Sequence, residues 1–174
     1  MAPDNKLPPA SEPAATQAVD DGAAGQAVEE SDAGTGGSLF DQVRRMQASQ
    51  KFRLALSADR STRAVLLGDH DPRTLFFLCQ NPHITVEEIL RIARDTRVLQ
   101  NTLEYIARNA QWSSREEVRH ALVVNPRTPI PTALRLLPLL NDRNLRSIAK
   151  GQQAVRQAIK TAALKLVIKS NASL

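Results

Sequence analysis

Aromatic side chains make up only 3% of this 174-residue chain. Any core it builds is therefore aliphatic, drawn from Leu, Ile, Val and Ala, and Ala and Leu are strong helix formers. The single cysteine, Cys79, excludes an intramolecular disulfide framework and a four-cysteine zinc site. It fits a reducing compartment. No run of 18 apolar residues occurs, so no helix is expected to span a membrane. The amino terminus lacks a cationic start followed by an apolar stretch, so no secretory signal is expected and the expected location is cytoplasmic. From Leu39 onward nothing alternates like a strand, and no Asn-Gly or Asp-Gly hairpin signal appears.

Charge is unevenly placed. Residues 1–37 carry seven acids (Asp4, Glu12, Asp20, Asp21, Glu29, Glu30, Asp32) against Lys6, a balance of −6. The remaining 22 basic and 11 acidic residues fall in 38–174, a balance of +11. The first segment is rich in Ala, Pro and Gly and has almost no large apolar side chains. It cannot bury enough surface to offset its ordering entropy, so residues 1–38 are expected to form a disordered acidic tail. The tail's opposite charge makes it a candidate to fold back over the basic part. Residues 39–174 are expected to form one domain.

A phrase occurs twice in that domain. Asn81-Pro82-His83-Ile84-Thr85 reappears 44 positions on as Asn125-Pro126-Arg127-Thr128-Pro129. Apolar runs precede both, and helical patterns follow both. Helices are expected near 39–46, 49–57, 60–67, 72–80, 86–95, 98–109, 114–124, 130–140, 142–150 and 153–169. Thr85 with Glu88 has the form of a capping box, as do Ser113 with Glu116 and Ser114 with Glu117. Thr128 before Pro129 reads as a cap. Pro138, inside an apolar run, predicts a kink or an early helix end. Leu90, Ile106 and Leu134 are expected in the core.

A period in the forties with helices in each unit is the mark of a stacked helical array. Over residues 39–169 the chain resembles HEAT-like and leucine-rich-repeat-variant α-solenoids, through the repeated Asn-Pro phrase. Ile106 to Trp112, with Val118 to Pro129, looks like a group of bacterial helical-repeat proteins. The expected fold class is all-α, an α-solenoid of short antiparallel helices (HEAT/armadillo-like) behind the tail. The resemblance implies an adaptor role and supplies no catalytic residues.

Candidate chemistry is sparse. Asp69-His70-Asp71, followed by Pro72, reads as a turn and helix start rather than a metal site. Glu116 and His120 share a helical face, a spacing commoner for a polar pair than for ligands. Cys79, after Phe76, Phe77 and Leu78, reads as a small core residue. No metal, cofactor or catalytic group is implied. The basic composition instead points to non-catalytic binding of another protein, an acidic one among the candidates, through Arg91, Arg94, Arg97, Trp112, Arg119, Arg127 and Arg135. Trp112 belongs there as a common hot-spot residue, although its place at a helix end also suits a plug between repeats. The alternative is a nucleic-acid binder with a basic concave surface, against which stands the shortage of aromatics for stacking bases.

Overall fold

The computed structural model describes residues 38–69 and 71–172. The expected acidic tail and His70 lie outside the described residues. Among the described residues there are eleven α-helices and no strand. They are α1 (Leu39–Arg45), α2 (Ala48–Ser57), α3 (Arg60–Leu66), α4 (Pro72–Leu78), α5 (Val86–Arg94) and α6 (Gln100–Arg108). Then come α7 (Ala110–Ser113), α8 (Glu116–Val124), α9 (Ile130–Leu136), α10 (Asp142–Ala149) and α11 (Gln157–Asn171). A 3-10 turn, Leu137–Leu139, follows α9. The helix α2 packs on α4, α5 on α8, and α9 on α11. The largest fully buried side chains are all Leu or Ile, among them Leu66, Leu78, Ile92, Ile106, Leu122 and Ile148. Burying one such side chain contributes about 1.5–3 kcal/mol.

The two Asn-Pro corners have the same internal wiring. Asn81 donates through Nδ2 to the carbonyls of Ala55 (2.8 Å) and Ala58 (3.1 Å), and its Oδ1 accepts from the His83 N–H (2.8 Å). Asn125 donates to the carbonyls of Ala93 (2.8 Å) and Asp95 (3.0 Å), and its Oδ1 accepts from the Arg127 N–H (2.8 Å). Those carbonyls terminate α2 and α5, where helices leave acceptors unpaired. Both asparagines are buried. The Oδ1 bond is the local one ordinary for an asparagine in a turn. The structure adds the long-range pair, which ties each corner to a helix well before it. A second circuit also repeats. Asp71 and Asp95 each accept the backbone N–H two residues on, from Arg73 (2.9 Å) and Arg97 (2.8 Å). Each is then gripped by that arginine's side chain.

Some helix ends follow expectation and others depart from it. Thr85 and Glu88 form the capping box of α5 as expected. The α8 N-cap is instead Arg115, without a side-chain cap. The Ser114 hydroxyl donates to the Gln111 carbonyl and closes α7, while Glu116 turns away to the Asn141 N–H. Pro129, not Thr128, is the N-cap of α9, and the buried Thr128 hydroxyl has no partner. Pro138 ends α9 early, at Leu136, and tightens the chain into the 3-10 turn. The last helix begins at Gln157 rather than 153, because Gly151, at φ 72°, turns the chain into a non-helical link.

Candidate functional site

The outward end of α5 and the link after it present Arg91, Arg94 and Arg97, all exposed. Around them lie four depressions that share arginines. One of about 520 Å3 runs between Arg60 and Arg91. One of about 270 Å3 is bordered by Arg91, Arg94 and Arg97. One of about 420 Å3 is mostly apolar, with Arg94, His120, Val124 and Pro126 on its walls. A polar one of about 540 Å3 continues from Arg94 and His120 to Arg143 and Asn144. Arg91 and Arg94 each border adjacent hollows, so the four lie side by side from Arg60 to Arg143 and together make up a grooved strip.

Most carboxylates along the groove are already neutralised. Glu88 holds the Arg63 guanidinium at 2.9 Å. Burial alone would raise its pKa, but the Thr85 N–H and Arg63 together bring it below the ordinary value. Glu116 meets Arg119 at 2.9 Å and also accepts from the Asn141 N–H and the Asn144 amide. Its pKa too is lowered, with these donors outweighing desolvation. Asp95 is lowered chiefly by its hydrogen bonds to Arg97. By contrast Arg60, Arg91, Arg94 and Arg143 have no ion-pair partner among the described residues. Glu87 and Glu117 remain as exposed acids on the rim. The groove is thus a row of uncompensated guanidiniums with two acids interspersed.

The structure brings together only part of the set expected from sequence. Arg91, Arg94 and Arg97 converge, although Arg97 is paired with Asp95 at 2.6 Å. Trp112 is 6% exposed and packs against Tyr105, ring centroids 5.9 Å apart, so it acts as a plug and offers no docking surface. Arg119 is held by Glu116 and by the carbonyls of Ser113 and Ser114. Arg127 is exposed beside the Asn125 corner, and Arg135 reaches the Ala107 carbonyl at 3.5 Å. Sequence reasoning did not include Arg60, His120 or Arg143 in the site. They come from α3, α8 and α10, and only the fold places them on the same groove as α5.

His120, half-buried, lies 3.0 Å from the Gln153 amide through Nε2. Burial, then the positive charge of Arg94, lowers its pKa against the opposing pull of Gln153 and Glu116. Cys79 is buried and its thiol is pushed up to about 12 by desolvation, far from the activated range a nucleophile needs. No three His, Cys, Asp or Glu among the described residues are grouped to hold a metal ion. No helix among them is long and apolar enough to cross a membrane.

No protein family, curated protein or solved structure matches this chain. The groove is therefore interpreted from its own geometry.

Proposed function

We propose that this chain is a non-catalytic interaction module that holds an acidic segment of a protein partner along the groove from Arg60 to Arg143. The observation that carries the reading is the row Arg60, Arg91, Arg94 and Arg143, four guanidiniums with no ion-pair partner among the described residues, while Glu88, Asp95 and Glu116 beside them are paired. Arginine suits such a surface because its planar fork takes a carboxylate through two parallel bonds. The mostly apolar hollow beside Arg94 and His120 adds a seat for a partner's hydrophobic side chain. The helices are proposed to form a short α-solenoid of the HEAT/armadillo type. Its units would be α2–α3–α4, α5–α6–α8 and α9–α10–α11, with the Asn81 and Asn125 clamps as their joints. Such arrays present a long open face rather than a reaction centre.

Nucleic acid is the rival. The aromatics are engaged with one another: Phe52 stacks on Phe77, Phe76 meets Phe77 and Tyr105, and Tyr105 meets Trp112. None lines the groove to stack on bases.

The test is affinity capture with wild-type and Arg91→Glu/Arg94→Glu baits at two ionic strengths, with nuclease treatment. A set of proteins that survives nuclease and disappears with the variant bait supports the reading. Nucleic acid retained by the wild type, with steep salt dependence and loss of all bound protein on nuclease treatment, rejects it.

A further inference from the structure

The last helix carries an apolar stripe on its outward side. The helices α4, α8 and α11 start at Pro72, Glu116 and Gln157 and pack on α2, α5 and α9. Aligned at their starts, Thr74, Val118 and Ile159 fall together, as do Leu78, Leu122 and Ala163, and all six are buried. The next position breaks the pattern. Cys79 and Val123 are 2% and 0% exposed, but Leu164 is 49% exposed. Ile168, one turn on, is 60% exposed. The apolar position that is covered at the end of α4 and on α8 therefore lies bare on α11.

The charges beside this stripe indicate what would cover it. Leu164 and Ile168 form one row at helical spacing, and the exposed Lys165 and Lys169 form the adjacent row. No acid follows Asp142 in the chain. The exposed apolar residues of α1, Leu39 and Phe40, sit among Asp41, Arg44 and Arg45, so that end of a second copy would bring a net positive charge against the lysines. An anionic membrane would call for a broad apolar face with aromatic anchors. Helix α11 offers two large exposed apolar residues and no aromatic. An apolar row bordered by cations matches an amphipathic helix with an apolar stripe edged by acids.

We propose that the outward face of α11, centred on Leu164 and Ile168 with Lys165 alongside, docks an acidic amphipathic helix of a protein partner. This surface shares no residue with the arginine groove, so the two stand or fall separately.

The probe is a synthetic helical peptide with leucines at i, i+4 spacing flanked by glutamates, titrated by fluorescence anisotropy against the full chain. A peptide with lysines in place of the glutamates serves as control. The glutamate peptide should bind and the lysine peptide should not. Leu164→Ser/Ile168→Ser should weaken binding roughly tenfold, the scale of a lost anchor contact, with the thermal midpoint unchanged. Lys165→Glu should weaken it too, and Arg91→Glu/Arg94→Glu should leave it intact. Equal binding by the double serine variant, or loss caused by the groove variant, would overturn the proposal. So would anionic phosphatidylserine vesicles binding α11 in place of the peptide. A mass increase with concentration that the double variant abolishes would also overturn it, by assigning the face to a second copy.

Discussion

Each of the two buried asparagines closes two helix-terminal carbonyls and one turn N–H with a single amide. No other side chain of that size supplies both a two-hydrogen donor and an acceptor. Asn125→Ala would leave the Ala93 and Asp95 carbonyls without their donor, and we expect a loss of about 2–3 kcal/mol, read as a lower urea midpoint at constant slope. Asn125→Asp should be no better, because a carboxylate cannot donate to those carbonyls. A midpoint unchanged in both variants would remove the clamp from the account of stability. Asp59 makes a different kind of end contact. Its carboxylate is brought down to about 2 by hydrogen bonds from Thr62 and Ser61 at the start of α3. A folded-state pKa below the ordinary 3.8 means that its contribution is complete above that value. It is lost as pH falls from there through about 2. Asp59→Asn should flatten the acid limb of a stability–pH curve in that window and nowhere else. At this scale the sequence displayed the asparagines as a repeated word, but not their work, because the carbonyls they serve lie on helices remote in the chain.

Helix positions were legible because aliphatic residues recur at helical spacing, and Pro138 and the Thr85–Glu88 box mark their ends chemically. Registers were harder to read. Ile106 is fully buried, and Ile106→Ala should cost about 2–5 kcal/mol. Leu134 occupies a position the sequence also assigned to the core, yet it is 37% exposed, with Ala133 buried in its place. Leu134→Ala should cost no more than about 1 kcal/mol, as for other side chains left on the surface. Chemical denaturation of the two variants side by side checks both values. The reason for the miss lies in α9 itself. With α9 cut short by Pro138, the apolar residues that follow Leu136 go into the 3-10 turn, where Leu137 is buried and Leu139 is not. Ser114 and Glu116 were read as members of two capping boxes, but the Ser114 hydroxyl is engaged by the Gln111 carbonyl and Glu116 by the Asn141 N–H.

Across the whole molecule, the helical class and the arginine cluster on α5 were readable, since Arg91, Arg94 and Arg97 recur three residues apart at one helix end. The rest of the groove was not, because Arg60 and Arg143 enter it only through the packing of separate helices. Trp112 and Arg119 were drawn into the expected surface by residue type alone, and the fold assigns them to the interior and to a helix junction.

The line of rings from Phe52 through Phe77, Phe76 and Tyr105 to Trp112 has an optical consequence. It includes five of the six aromatic residues, and none occurs after position 112. Tryptophan emission accordingly reports the surroundings of Trp112 on α7, packed on Tyr105 of α6, whereas circular dichroism counts every helix. Coincident melts by the two signals would identify one cooperative block. A dichroism loss that runs ahead of the emission change would show helices remote from Trp112 melting first.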